Sequence, residues 1–233
     1  MEDRLMEHLE FFGLPGSGKS TVSHSLAEKL KRKGRNIGEP TFSVDHKSPK
    51  VLRPVKKFFL LMLFSLKHRK ETATIKSIVK DNGYKGFKAL KQTGNIAYKL
   101  GIILKKDDGK TLIWDEGLIQ SAISLSSGSD KDVNENISAL LSLAGDKGSF
   151  RFFYIKTDVE FAISRLKERK GSESRAEKIS DESVMKKVLD KTNSLCEAVN
   201  ISPLKTFSAA DGSEVIAETI AAEFGGDNSG RKS

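Results

Sequence analysis

Gly13-Leu14-Pro15-Gly16-Ser17-Gly18-Lys19-Ser20 decides the fold of this chain. The stretch fits G-x-x-x-x-G-K-[ST], the Walker A pattern of a phosphate-binding loop. Its glycines let the backbone turn tightly, so that N–H groups converge on phosphate oxygens, and the helix that follows adds the positive end of its dipole. Lys19 reaches the β- and γ-phosphates, and Ser20 supplies a hydroxyl to Mg²⁺. Gly13, Pro15, Gly16, Ser17, Gly18, Lys19, Ser20 and Thr21 are the candidate nucleotide contacts. The flanks agree with this reading over a chance glycine-rich turn. His8-Leu9-Glu10-Phe11-Phe12 reads as a strand ending at Gly13. From Lys19 to Lys33, Val22, Leu26 and Leu30 recur every four residues, which predicts a helix ended by Gly34, with Lys31, Arg32 and Lys33 matching its C-terminal dipole.

Working outward, strands and helices alternate. Arg35–Glu39 is a short strand ended by Pro40, and Thr111–Trp114 is a strand running into Asp115-Glu116-Gly117. Phe150–Ile155 is an apolar-aromatic strand, followed by a helix over Asp158–Lys170 with Thr157 and Glu160 as its capping box. A helix over Asp181–Val199, a strand at Leu204–Phe207 and a helix over Ser213–Phe224 complete the pattern. This alternation predicts an α/β fold with a parallel sheet covered on both faces. The second and third strands lie too far apart for one crossover. An inserted helical segment at 47–106 is expected there, with helices near Val51–Lys67, Thr72–Lys80 and Tyr84–Leu104 and breaks at Gly83, Gly86, Gly94 and Gly101. One domain over residues 1–225 is expected, with a flexible tail at 226–233.

Composition narrows the class. With 233 residues, 37% hydrophobic and 30% charged, the chain has the balance of a globular protein and not of a disordered one. The single cysteine, Cys196, excludes an internal disulfide and a four-cysteine zinc site, and suits a reducing compartment. Met1-Glu2-Asp3-Arg4 precedes no apolar run, so no secretory signal and a cytoplasmic location are expected. The longest apolar run, Phe58–Phe64, is too short to span a bilayer. His8, His24, His46 and His68 show no metal spacing with Cys196, so the expected metal is the magnesium brought by nucleotide. Charge is unevenly spread: Lys47–Lys106 holds 16 Lys and Arg against Glu71 and Asp81, a net of +14, which leaves −5 for the rest of a chain whose net is +9.

Asp115 is the second candidate magnesium group, beside Ser20, because a carboxylate at a strand end can hold a magnesium water opposite the phosphate loop. Its other reading is a cap at a strand–helix junction, and the two are compatible. Arg165 and Arg169 lie four apart on one helix face, and Arg175 sits in the polar stretch Gly171–Glu177, which has the composition of a mobile loop. Arginines on a closing lid at 170–180 would neutralise a phosphoryl group in transfer and exclude water. A solvated charged face is the plainer alternative.

The order of phosphate loop, Glu39-Pro40, helical insertion, Asp115 strand end and helix–arginine loop–helix resembles the P-loop nucleoside and nucleotide kinases, in particular the thymidylate kinase and deoxynucleoside kinase group. The resemblance runs from about residue 8 to residue 224. It implies a five-stranded sheet of order 2-3-1-4-5, ATP with Mg²⁺, and transfer of the γ-phosphate to an acceptor. It implies that Ala210, Asp211 and Gly212, in Ser208–Ser213, pack the adenine, and that the arginine segment is a lid. It also implies that Glu39 acts on an acceptor hydroxyl. Glu116 and Asp45 are the other carboxylates expected near the acceptor, each with the plainer reading of an exposed loop acid. Such kinases usually follow the strand-end acid with an arginine, whereas this chain has Asp115-Glu116-Gly117. Catalytic roles are thus expected for Lys19, Glu39, Glu116, Arg165, Arg169 and Arg175, and a homodimer is a further expectation.

The basic insertion leaves alternatives open. It suits an anionic acceptor or partner: a sugar phosphate, an acidic glycan or nucleic acid. Lys56–Lys70 places apolar residues between basic flanks, which could lie on a membrane surface, but seven adjacent apolar residues better suit a core helix with solvated lysines. Aromatic interleaving for nucleic acid is thin, with Tyr84, Phe87 and Tyr98 only. The competing class is a non-kinase P-loop ATPase or switch that acts on a partner through this segment. A polynucleotide kinase is a third reading.

Overall fold

The computed structural model describes residues 6–42, 61–105, 109–168, 179 and 181–224. Five parallel strands form one sheet in the order β2-β3-β1-β4-β5. They are β1 (Glu7–Gly13), β2 (Ile37–Gly38), β3 (Thr111–Trp114), β4 (Ser149–Lys156) and β5 (Leu204–Ser208). This is the order that the kinase resemblance implied. Helix α1 (Lys19–Arg32) follows β1 directly. Residues 61–67 are helical (α2), and α3 (Arg69–Asp81) and α4 (Gly86–Ile103) complete the described part of the insertion. After β3 come α5 (Leu118–Ser126) and α6 (Val133–Ala144). Then α7 (Val159–Glu168) and α8 (Glu182–Glu197) follow β4, and α9 (Ser213–Glu223) follows β5.

Strand alternation sorts the core. Leu9 and Phe11 of β1 face α1 and α9, where Val22, Leu26, Leu30, Ile216 and Ile220 are buried with them. Phe12 points the other way, into the larger core built with Trp114 of β3 and the helices α4, α5 and α6. Glu10 shares that second face by strand alternation, and is the one acid among the buried residues of β1. A third cluster joins Leu14 of the phosphate loop to Ala162, Ile163 and Leu166 of α7 and Met185 and Leu189 of α8. The loop is thereby packed from behind by the helix that carries Arg165.

Two expectations need correction. Gly94 and Gly101 do not break the helix; both lie inside α4. A Cβ built on Gly101 would stand 3.2 Å from Phe64 Cδ2, and one on Gly94 would stand 3.7 Å from Leu61 Cδ2. These glycines sit seven apart, on one face, and give α2 a close seat. The start of α7 is capped by Asp158, whose Oδ1 accepts from the amides of Glu160 (2.8 Å) and Phe161 (3.3 Å). Thr157, expected as the cap, is instead buried with its hydroxyl unpartnered. Of the described residues at the end of the apolar run, Leu61 and Phe64 are buried, whereas Met62 and Leu63 are exposed, as is Leu66 beyond it.

Candidate active site

The carboxyl edge of the sheet gathers the site. Gly13 is level with Ile155 of β4, and Ile155 with Phe207 of β5, so the phosphate loop, α7 and the Ser208–Ser213 segment leave the sheet along one edge. Strand β1 is followed in sequence by β2 on one side of it, and β3 by β4 on the other. The crevice between β1 and β3 is therefore the switch point at which such sheets bind ligands.

Gly13, Gly16 and Gly18 hold φ values of 148°, 86° and 89°, a backbone that other residues rarely adopt. Space forbids side chains as well: a Cβ on Gly13 would lie 2.6 Å from the Ile155 carbonyl, and one on Gly16 2.8 Å from that of Ala162. Lys19 is buried, and its Nζ donates to the carbonyls of Gly13 (3.0 Å) and Leu14 (2.8 Å), which holds the ammonium across the mouth of the loop. Ser17 is buried with its hydroxyl unpartnered inside this cradle. An orphaned hydroxyl, a positive group and a glycine cradle together fit a bound phosphate. Pro15 is half-buried and Thr21 exposed at the loop's two ends.

Asp115 is buried at the end of β3, and its Oδ2 accepts from Ser20 Oγ at 2.9 Å, while its Oδ1 accepts from Thr41 Oγ1. The two expected magnesium groups therefore stand together, 95 residues apart in sequence. A carboxylate and a hydroxyl side by side are hard oxygen donors of the kind that suits Mg²⁺. Thr41 was not expected; it follows Glu39-Pro40 and ties that turn to the strand end.

Arg165 also belongs to the site. Its Nη1 lies 3.2 Å from where a Cβ of Gly18 would stand, and its guanidinium sits 5.1 Å over the Phe161 ring. Arg169, Arg175 and Asp45 lie outside the described residues, as do all of the lid but residue 179 and all of the tail at 226–233. Ala210 and Asp211 form a 3₁₀ turn closed by Ser208: the Ser208 hydroxyl accepts from the Ala210 amide and Asp211 Oδ2 from the Ser208 amide. Gly212 follows at φ 83°, and the turn is exposed along the same edge.

The described acceptor-side acids, Glu39 and Glu116, share no hydrogen-bond partner among the described residues. Glu39 turns onto α1, where Oε1 is 2.8 Å from His24 Nδ1 and Oε2 accepts from Lys31 Nζ at 2.6 Å. Lys31 also reaches Glu28 (3.1 Å), so its ammonium fills the space between the two carboxylates. Glu116 is exposed and makes no hydrogen bond or ion pair among the described residues.

The residue that sequence reasoning passed over is Glu10. Its carboxylate accepts from the amides of Leu118 (2.9 Å), Ile119 (2.6 Å) and Gln120 (3.2 Å), closing the N-terminus of α5. Gly117 has no side chain because a Cβ there would lie 2.2 Å from Glu10 Cδ. From the other side, Lys99 Nζ donates to the Gly117 carbonyl (2.8 Å) and Ser121 Oγ (2.6 Å). Burial pushes the Glu10 carboxyl up to about 7, while the Lys99 ammonium and the three amides pull it down. Gln120 then carries the turn back to the phosphate loop, its Oε1 accepting from the Gly13 amide at 3.1 Å. The signal in the sequence was an acid inside a strand flanked by Leu9 and Phe11. Cys196 is no nucleophile candidate: burial pushes its thiol up to about 12.

Known structures share this arrangement of strands and helices. A deoxyadenosine kinase from M. mycoides, in a structure with the products dCMP and a flexible dCDP bound, matches with a TM-score of 0.51 at 17% identity, over 93% of this chain and 97% of that one. The same kinase with bound dCTP matches with a TM-score of 0.50 at 18% identity, over 93% and 98%. An unliganded sugar kinase from Janibacter sp. HTCC2649 matches with a TM-score of 0.46 at 14% identity, over 93% of each chain. No protein-family model and no curated protein sequence matches the chain. The chain shares the fold of this deoxyadenosine kinase.

Proposed function

We propose that this chain is an ATP- and Mg²⁺-dependent kinase that moves the γ-phosphate of ATP to a small-molecule acceptor. The observation that carries this reading is the 2.9 Å bond between Ser20 and Asp115, which sets the phosphate loop against the β3 end. Arg165 standing at Gly18 supports it. The chain's own residues divide the work. The Gly13–Ser20 amides and Lys19 hold the phosphates, and Lys19 moves from its carbonyl partners to the β- and γ-oxygens. Ser20 and Asp115 would hold the magnesium, which would supply positive charge to offset that of the phosphates. Arg165 supplies positive charge from the α7 side, with Arg169 and Arg175 of the lid joining it on closure. The Ala210–Gly212 turn packs the adenine.

On the acceptor side, Glu116 is better placed than Glu39 to orient a hydroxyl in this state, since both oxygens of Glu39 are bonded to α1 side chains. The fold relatives named above supply no acceptor for this chain. The experiment is ADP release from Mg·ATP with and without pooled nucleosides, nucleoside monophosphates, sugars, sugar phosphates, acidic glycans and nucleic-acid ends, with Lys19→Ala as control. One pool is expected to raise turnover at least about tenfold, or about 1.4 kcal/mol off the barrier. Fast turnover that no pool changes would sink the kinase reading in favour of a P-loop ATPase acting on a partner.

A further inference from the structure

The insertion carries a surface that the nucleotide site does not use. Leu61 and Phe64 fasten one side of α2 to the small-residue seat on α4 at Gly94 and Gly101. The other sides of α2 present Met62, Leu63 and Leu66 to solvent, and the first turns of α4 present Phe87 and Leu90; these five side chains are 43–80% exposed. Phe87 lies seven residues before Gly94, on the α4 face that receives α2, about 10 Å along the helix. Both groups of apolar side chains lie on this one pair of packed helices. Cations surround them: Lys67, Arg69 and Lys70 follow Leu66, and Lys85, Lys88 and Lys91 flank Phe87 and Leu90, all exposed. Residues 61–105 hold ten Lys and Arg against two acids, Glu71 and Asp81.

From this juxtaposition we infer that the α2–α4 face docks on an anionic membrane surface, with Met62, Leu63, Leu66, Phe87 and Leu90 entering the headgroup boundary and the lysines facing lipid phosphates and carboxylates. Charge selects this occupant over a second copy of the chain. Two such faces brought together would set cation against cation, which costs several kcal/mol at a contact. The exposed apolar side chains select it over nucleic acid, which offers phosphates but no place for five of them. Association is peripheral, since no helix among the described residues is long and apolar enough to cross a membrane. The arrangement is that of an interfacial element, with an apolar face rimmed by Lys and Arg, in which each cation near an anionic surface adds to the apolar contribution. A surface-bound chain would meet its acceptor in two dimensions, but the docking itself does not depend on the kinase reading.

The test is flotation of the full chain with phosphatidylcholine vesicles, with and without phosphatidylserine, at low and high salt. Binding is expected with phosphatidylserine only, and weaker at high salt. Phe87→Glu and Leu66→Glu should each weaken it at least about tenfold, and so should Lys85→Glu with Lys88→Glu. Thermal melting followed by circular dichroism checks the fold of each variant. Phe87, at 80% exposed, is the substitution least able to disturb packing, and keeps the test alive if Leu66→Glu unfolds. No lipid-dependent binding at low salt overturns the inference. So does binding that the lysine changes weaken and the apolar changes do not, which would be adsorption by charge alone. So does a dimer in sedimentation that Phe87→Glu dissociates.

Discussion

Helices α1 and α5 both start at the carboxyl edge of the sheet, a few residues after a strand, and the protein treats their N-termini in opposite ways. Neither has a local side-chain cap, and neither has an acid in its first turn. At α5 the amides of residues 118–120 are taken by Glu10, a carboxylate sent from the middle of β1. At α1 no side chain among the described residues caps the first amides, although Asp115 reaches the Ser20 hydroxyl; Lys19 and the unpartnered hydroxyl of Ser17 stand there instead. A helix N-terminus attracts anions by its dipole and its spare amides. The contrast teaches that it becomes a ligand site only where the protein does not fill it from within. The plug has a second effect. It fixes the Asp115–Gln120 turn, so that Asp115 faces Ser20 and Gln120 holds the Gly13 amide.

The comparison can be broken or sharpened in order of size. Lys19→Ala removes the cation at the open N-terminus; ATP turnover should fall about 1000-fold, the upper range for losing one preorganised donor, with the melting temperature little changed. Retained turnover would break the assignment of α1 as the working end. The plugged end is read through pH. Folding raises the Glu10 pKa from 4.5 to about 7, so the folded chain holds this proton more firmly than the unfolded chain between those values. Stability is therefore lost as pH rises through that window, by about 3 kcal/mol in order of magnitude. Glu10→Gln should remove that loss from the pH dependence of urea unfolding. Parallel curves for the variant and the parent would show that Glu10 does not titrate on folding.

Gly117→Ala comes next. The added Cβ meets Glu10 at 2.2 Å, and overpacking of this kind costs about 2 kcal/mol. A drop in melting temperature of several degrees is expected, relieved in part by adding Glu10→Ala; full additivity of the two changes would deny the contact. Gln120→Ala is the smallest, at about 1 kcal/mol for one hydrogen bond. Its mark should be weaker nucleotide binding in a fluorescence titration at near-unchanged stability, because the bond it removes ends on the phosphate loop.

Much of the fold was legible because its signals are local. The Gly13–Ser20 spacing, the four-residue recurrence through α1 and the apolar runs of β3 and β4 are read from neighbours in sequence. Helices α5 and α6 went unassigned for different reasons. Leu118–Ser126 is buried on nearly every side, so it shows no amphipathic stripe. In α6 the stripe was present, at Val133, Asn136, Ile137, Leu140 and Ala144 behind the cap Asp132, and could have been found. Gly94 and Gly101 misled because glycine weakens a helix by propensity, yet here α2 packs on them, and tertiary contact overrides propensity.

The sequence by itself determined the phosphate loop, the strand-end position of Asp115, the alternation that makes a parallel sheet and the charge of the insertion. Each of these is a matter of residue type at short spacing. Only the tertiary structure decided which distant groups meet: Asp115 with Ser20 and Thr41, Glu39 with His24 and Lys31, Arg165 with Gly18, and Glu10 with the first turn of α5. It also decided which apolar residues of α2 find a seat on α4 and which face solvent. Partners brought together across 8 to 147 residues depend on strand order and helix packing, and no local pattern encodes them.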